Sequence, residues 1–167
     1  MRPHNRPPVL IRYVQESELP ELLALLKAKA EFDGVASSMV ATVETLRHAL
    51  VSDNPAARAL VAVEGDALLG TATYYATFSS FIAKPCLWLD DLYVYEQYRS
   101  RGVGRALVKH LCEIAHAQGC GRVDWVLATL NTNGRSFYTR LGASIYESVR
   151  LARLDEHAIR TLADEDA

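Results

Sequence analysis

One stretch limits the fold of this chain more than any other, DLYVYEQYRSRGVGRALVKHL at residues 91–111. Its first residues are the aromatic and β-branched types that favour a strand, and its last ones repeat apolar residues at helical spacing. Glycine weakens a helix, so Gly102 and Gly104 at the junction need a reason of their own. The stretch predicts a strand, a tight turn and a helix.

The turn combines glycine with positive charge. The first backbone N–H groups of a helix lack internal partners, and the helix dipole places partial positive charge there. Gly102 and Gly104 would let a phosphate approach without a Cβ in the way. Arg99, Arg101 and Arg105 could add charge-assisted hydrogen bonds. We interpret the turn as a pyrophosphate site. The alternative is that the glycines only shape a turn and the arginines only keep it solvated.

The common nucleotide motifs do not fit this turn. A dinucleotide-binding fingerprint needs G-x-G-x-x-G, whereas GVGRAL ends in Leu107. A Walker loop needs Gly-Lys followed by Ser or Thr, which this stretch lacks. The ligand is therefore expected to be a phosphate carrier of another kind.

The periodicity of the whole chain predicts the element order β-α-α-β-β-β-α-β-α-β. This order is that of one α/β domain with a mixed sheet, which we assign to residues 1–167, with residues 1–8 as a frayed leader. Ser17 is the expected N-cap of the first helix. The tail after residue 153 is left open between a helix and a loose end. The predicted strands are 8–14, 58–65, 67–78, 86–95, 122–130 and 144–153, and the predicted helices are 17–32, 42–50, one after the glycines, and 132–142.

Composition excludes several classes of function. A formal net charge of -2 gives no global basic field, so nucleic-acid binding is not expected. No apolar run reaches the roughly 20 residues that span a bilayer. Three cysteines without close pairing favour a reducing cytoplasm over a disulfide framework. His110 and His116 lie six positions apart on the long helix, so no metal site is expected.

The spacing R-x-x-G-x-G from Arg99 to Gly104 resembles the signature of the GNAT superfamily of N-acetyltransferases. The element order is similar to the GNAT acyl-CoA N-acyltransferase fold, a central mixed sheet flanked by helices. The segments 70–94, 131–143 and 153–163 resemble the spermidine/spermine (diamine) acetyltransferase branch. The resemblance implies acetyl-CoA as co-substrate, a small-molecule amine as acceptor, direct attack in a ternary complex, and a homodimer.

On the donor side, the resemblance implies that the strand before the loop pairs with the pantetheine arm of CoA. A backbone N–H of this strand would face the thioester carbonyl and stabilise its oxyanion. Tyr138 matches the family's general acid, with packing beside Phe137 as the alternative. Asn131 matches a CoA contact, with helix capping as the alternative. The implied cofactor-binding residues are Leu92, Tyr93, Val94, Arg99, Ser100, Arg101, Gly102, Val103, Gly104, Arg105, Asn131, Asn133 and Gly134.

On the acceptor side, Asp90 and Asp91 follow the apolar run CLWL, where a carboxylate is costly unless it is partnered or functional. In a regular strand the two point to opposite faces. Asp90 aligns with the family's acidic residue that removes the amine proton, through water. The alternative is a strand-end carboxylate bonded to a neighbouring backbone. Glu31 matches a position near the acceptor, with a solvated helix end as the alternative. Glu31, Asp90 and Asp91 are the implied substrate-binding residues.

One departure affects the expected acceptor. Polyamine acetyltransferases carry a further acidic residue in the turn where this chain has Ser79 and Ser80. Its loss favours a shorter amine, or an amino acid with a side-chain amine, over a long polyamine. Two other functions stay open at this point, a protein or peptide acetyltransferase and a CoA-binding sensor without turnover.

Overall fold

A computed structural model describes residues 8–165 of the chain. The leader expected at residues 1–8 therefore lies outside the described residues, apart from its last residue. The chain divides into two compact units, the first ending at Trp125 and the second beginning at Val126. The assignment of the whole chain to a single domain stays a prediction.

The described part of the first unit, residues 8–125, contains the sheet and three α-helices. Its elements are β1 (Leu10–Tyr13), α1 (Leu19–Phe32), α2 (Val43–Val51), β2 (Arg58–Glu64), β3 (Ala67–Ser79), β4 (Lys84–Val94), α3 (Val103–Ala117) and β5 (Val123–Asp124). The second unit contains α4 (Thr132–Arg140) and α5 (Glu156–Asp164).

The five strands form one sheet in the order β1-β2-β3-β4-β5. The first four are antiparallel to their neighbours, while β5 pairs with β4 in parallel. A two-residue turn at Gly65 and Asp66 joins β2 to β3, and Gly65 adopts a φ of 62° there. The predicted mixed α/β sheet is confirmed.

Alternating side chains of β2 supply two separate parts of the core. Leu60 and Ala62 pack with the apolar face of α3, which includes Leu107 and Leu111. Ala59, Val61 and Val63 pack with Leu19 and Leu22 of α1 and with Leu46 and Leu50 of α2. This alternation follows from the two-residue period of a strand, and it places α3 on one face of the sheet and α1 and α2 on the other.

The beginning of α1 differs from the prediction. Ser17 is not its N-cap, because a 3₁₀ turn at Glu16–Glu18 precedes the helix and Glu18 takes the cap position. The Glu18 carboxylate accepts two hydrogen bonds from Arg12, at 2.8 and 2.6 Å, and one from the backbone of Gln15 at 2.8 Å. These bonds hold the turn in place of a serine cap. The helix ends as predicted at Phe32, just before Gly34 with a φ of 73°.

Two of the strand predictions are wrong: one strand is much shorter than predicted, and the other is not formed. The strand expected at 122–130 consists of Val123–Asp124 alone, and residues 144–153 form no strand. Tyr146 and Val149 are 74% and 71% exposed there. A β-type composition shows that a segment suits a sheet surface, but a strand also needs a partner, which this segment lacks among the described strands. The open prediction for the tail resolves to a helix, capped by Asp155, which accepts from Ala158 N–H at 2.8 Å.

Candidate active site

A β-bulge in β4 determines where the two aspartates stand. Asp91 lies opposite Thr73 of β3, but Leu89 already lies opposite Tyr74, so Asp90 is the extra residue. Both Leu89 and Leu92 consequently pack on the α3 side of the sheet, although an odd number of positions separates them. The alternation that would send Asp90 and Asp91 to opposite faces applies to a regular strand, and it does not hold across this bulge.

Asp91 faces the last turn of α1. Its side chain is 32% exposed, and its Oδ1 lies 3.7 Å from Nζ of Lys29. The same ammonium also pairs with Asp33. Burial raises the pKa of Asp91 above its usual range; Lys29 opposes that shift, while the charges of Asp90 and Asp33 add to it. The site therefore concentrates negative charge around one lysine.

Asp90 is the more accessible of the two aspartates. It is exposed and makes no salt bridge within residues 8–165. Its charge reaches Tyr75, where burial first and Asp90 second raise the tyrosine pKa. Glu31 is exposed in the last turn of α1. Ser79, at the end of β3, is 5% exposed, and Ser80 follows it in the hairpin turn.

The far end of β4 has one free edge. Leu92, Tyr93 and Val94 pair with β3 on one side. On the other side β5 stops at Asp124, opposite Trp88, so among the described residues no strand covers β4 beyond that point. An exposed strand edge can pair with an extended ligand through its backbone groups. This edge has the form that the pantetheine prediction requires.

The loop between β4 and α3 has the backbone of a tight turn. Gly102 is the N-cap of α3 with a φ of 81°. Ser100, two residues earlier, also lies in the left-handed region with a φ of 59°, which costs a residue with a Cβ about 1–2 kcal/mol. Strained positions of this kind cluster at ligand-binding sites. The predicted strand, turn and helix are all present.

Two of the three arginines of the loop, Arg99 and Arg101, contact protein groups. Arg99 donates from Nε to the carbonyl of Val94 at 3.0 Å, and its guanidinium lies 5.0 Å from the ring centre of Phe32 and 5.5 Å from that of Tyr93. Arg101 pairs with Glu64 of the β2–β3 hairpin. Arg105 is exposed in the first turn of α3. Phosphate binding by these side chains stays a prediction.

The second unit holds the other predicted donor-side residues. Asn131 caps α4, its Oδ1 accepting from the N–H of Gly134 at 2.8 Å, so the capping alternative describes its role in this structure. A Cβ on Gly134 would lie 2.6 Å from the Asn131 amide nitrogen. Asn133 is exposed. Tyr138 is 8% exposed, with its ring centre 5.0 Å from that of Phe137, so the packing alternative is observed, and a role as acid stays a prediction.

A cavity of about 400 Å³ lies elsewhere in the first unit. Its lining includes Tyr13, Arg58, Tyr74 and Gln118, and the hydroxyls of Tyr13 and Tyr74 are 2.9 Å apart. None of the predicted site residues line it.

Residues 8–165 contain no cluster of three potential metal ligands, and none of their helices is both long and apolar enough to cross a bilayer.

Comparison with known families decides the identity. The profile of the Acetyltransferase (GNAT) family matches residues 21–143, from the first turn of α1 to just beyond α4. The chain belongs to the GNAT family. It is an enzyme, an N-acetyltransferase, and the co-substrate of GNAT enzymes is acetyl-CoA.

Two curated relatives and one solved structure show which GNAT proteins this chain is similar to. Thialysine N-epsilon-acetyltransferase from Caenorhabditis elegans is 30% identical over 87% of this chain and 91% of that protein. Spermidine/spermine N(1)-acetyltransferase-like protein 1 from Homo sapiens is 29% identical over 93% of this chain but only 24% of that protein. An integron cassette protein from the mobile metagenome of V. cholerae is 27% identical, with a TM-score of 0.75 over 94% of this chain and 98% of that one. The expected resemblance to the diamine branch and the GNAT fold are both confirmed.

The sequence did not indicate three residues that lie at this candidate site. Thr73 holds the bulge, because its Oγ1 accepts from the backbone N–H of Asp91 at 3.1 Å. Lys29 and Asp33 bring charge from α1 to the same place. The i, i+4 spacing of the last two signals an ion pair on a helix, but nothing local signals their approach to β4.

Proposed function

We propose that this enzyme transfers the acetyl group of acetyl-CoA to a primary amine of a small molecule, by direct attack in a ternary complex. The acceptor class is a diamine, a polyamine or an amino acid with a side-chain amine. The observation that carries the proposal is the acidic bulge at Asp90 and Asp91, directly beside the free edge of β4. One element thereby offers a carboxylate to the amine and backbone groups to the thioester.

On the donor side, the pantetheine arm of acetyl-CoA pairs with the free edge at Leu92–Val94, and the pyrophosphate of acetyl-CoA lies at the Gly102 turn. A backbone N–H of the edge faces the thioester carbonyl, and such a fixed donor stabilises the oxyanion of an acyl transfer. Tyr138 protonates the departing thiolate, since a phenol with a pKa of about 10 is a suitable donor to it. The left-handed Gly102 and the free edge support this assignment.

On the acceptor side, the amine must lose a proton before it attacks. An alkylammonium has a pKa of about 10.4, so the reactive form is scarce at neutral pH. Asp90 draws the proton through water. Its exposure and its lack of a described salt bridge support this role, whereas Asp91 is held by Lys29. Asp91 and Glu31 attract the cationic acceptor, as an anionic lining attracts a cation.

The acceptor is small. The relative from Caenorhabditis elegans acts on thialysine, an amino acid with a side-chain amine, and Ser79 and Ser80 leave the hairpin without the carboxylate of a polyamine site. Both observations favour a short amine.

The enzyme works as a homodimer, which light scattering tests directly: a mass twice the 18.5 kDa of one chain is expected.

A thiol-release assay with acetyl-CoA tests the function. We expect release with diamines, ornithine or lysine analogues that exceeds release with peptides, aminoglycosides and no acceptor. Faster acetylation of a peptide than of any free amine would contradict the small-molecule acceptor. Binding of CoA without thiol release from any amine would show a sensor in place of the proposed enzyme.

A further inference from the structure

The side chain of Lys29 occupies the middle of the acidic site. Its ammonium pairs with Asp33 one turn along α1, and it lies 3.7 Å from Oδ1 of Asp91 on β4. The lysine side chain is 18% exposed, so it does not simply project into solvent. The protein thus supplies its own alkylammonium to the carboxylates of a site that, under the proposed function, binds an alkylammonium substrate.

Lys29 pairs with some of the surrounding carboxylates and not with others, and this determines which of them can bind the ammonium of an acceptor. The charges of Asp33 and Asp90 both act on Asp91, and within residues 8–165 Lys29 is the one cation that does so. With Lys29 in place, Asp33 and Asp91 share a counterion, while Asp90 has no ion-pair partner in the part of the chain that the structure describes. Of these three aspartates, one is then free for an acceptor ammonium, and the other two are already neutralised in part.

A diamine brings two ammonium groups into such a site. The first can approach Asp90, but the second then lies near the positive charge of Lys29, whose partners Asp33 and Asp91 are already paired. Like charges repel, and more strongly at a partly buried site than in bulk water. A diamino acid differs, because its carboxylate cancels the charge of its second ammonium. Rejection by a fixed like charge is a recognised source of specificity.

We propose that Lys29 sets the charge of the accepted amine, excluding acceptors whose second ammonium has no compensating carboxylate. Lys29 is a specificity-determining residue, and the favoured acceptors are amino acids with a side-chain amine, ahead of diamines and polyamines. This inference rests on the proposed function and narrows its substrate class.

A matched pair of acceptors isolates this effect. L-Lysine and 1,5-diaminopentane have the same chain and differ only in the carboxylate, and L-ornithine and 1,4-diaminobutane form the same pair one carbon shorter. The measured quantity is the ratio of kcat/KM for the diamine to that for the amino acid, from thiol release with acetyl-CoA. The wild-type ratio is expected to lie well below one.

The decisive variant is Lys29→Met, which keeps the length of the side chain and removes its charge. We expect it to raise the diamine ratio about tenfold or more, since a contact between charges at a partly buried site exceeds the free energy of a tenfold change. Lys29→Arg keeps the charge and should leave the ratio within about twofold of wild type. Lys27→Met removes an exposed lysine from the same helix and is the matched control.

The outcomes separate the inference from the function. An unchanged ratio in Lys29→Met, with turnover of the amino acid retained, would overturn the role of Lys29 and leave the proposed function intact. Absence of turnover by the wild type with every amine of both pairs would overturn the small-amine function, and the inference with it. Lys29→Gln keeps a hydrogen-bond donor between the carboxylates; loss of amino-acid turnover in both variants would assign Lys29 a structural role instead.

Discussion

The backbone N–H of Asp91 donates to Oγ1 of Thr73 at 3.1 Å, so a side chain of β3 supplies an acceptor where the bulge interrupts the strand ladder. Thr73 is 7% exposed, which keeps water away from this bond. The bond fixes the strand at the residue that follows Asp90. The position of the proposed base therefore depends on a threonine from the neighbouring strand.

Replacement of this acceptor should weaken both the fold and the site. Thr73→Val leaves a partly buried N–H without its partner, which costs about 1–2 kcal/mol of unfolding free energy, and kcat/KM for the amine should fall with it. Denaturant unfolding and thiol release measure the two effects. Thr77→Val, on the same strand and without a described side-chain hydrogen bond, should change stability by less than about 0.5 kcal/mol. Equal stability of the two variants would show that the Thr73 bond does not hold the bulge.

Tyr138→Phe tests the proposed general acid. Loss of the proton donor should lower kcat roughly 100-fold or more, the lower range for general acid catalysis, while acetyl-CoA binding stays near wild type. Steady-state kinetics and calorimetric titration with CoA separate the two. Tyr146→Phe removes the hydroxyl of a tyrosine that is 74% exposed and is the control. A kcat within a few fold of wild type would leave Tyr138 with its packing role alone.

Gly102→Ala tests the cofactor turn. An alanine Cβ meets no atom within 4 Å there, but a φ of 81° strains it, so we expect a loss of about 1–2 kcal/mol in stability together with weaker acetyl-CoA binding. Gly119→Ala at the other end of α3 carries the same kind of strain, with a φ of 67° and no close atom. It should lose similar stability and bind acetyl-CoA normally. Equal CoA affinity in the two variants would contradict a phosphate site at Gly102.

Glu18→Gln should make stability less dependent on acid. The hydrogen bond from Arg12 holds the pKa of Glu18 below its ordinary 4.5. Because the folded pKa is the lower one, the stabilisation is complete above pH 4.5 and is lost as pH falls through the folded pKa. The variant should lose about 1–2 kcal/mol at pH 7, and the gap should close in acid.

Thermal unfolding of wild type and of Glu18→Gln from pH 7 to pH 3 measures this difference in stability. Glu156→Gln removes one partner of an exposed pair whose side chains are 69% and 88% exposed, and such pairs contribute about 1 kcal/mol or less. A gap for Glu18→Gln that is constant with pH would show that its carboxylate charge does not stabilise the turn.

Local signals made the strand, turn and helix around Gly102 predictable. Glycine in a left-handed cap and apolar residues at helical spacing act within a few residues of each other. A short stretch of sequence therefore contains everything that determines this turn and helix. The bulge at Asp90 has a different origin, since it arises from the register between β3 and β4 and depends on Thr73, 18 residues away. A pattern read along one strand cannot show it.

The same limit explains Lys29 and the segment 144–153. A lysine on a helix is expected to be solvated, and its pairing with Asp91 depends on where β4 passes α1. The segment 144–153 has a suitable composition for a strand, yet pairing depends on an edge supplied by another part of the structure. In both cases the structure depends on a partner that is distant in sequence, and a periodic pattern within one segment does not reveal such a partner.

The guanidinium of Arg99 lies over the rings of Phe32 and Tyr93 while its Nε binds the carbonyl of Val94. One side chain from the cofactor turn therefore covers the last residue of α1, three positions beyond Lys29. A phosphate that drew this cation toward itself would uncover both rings at once. Under the proposed function, phosphate binding at this turn would therefore change the packing of Phe32, which follows Glu31 at the end of α1.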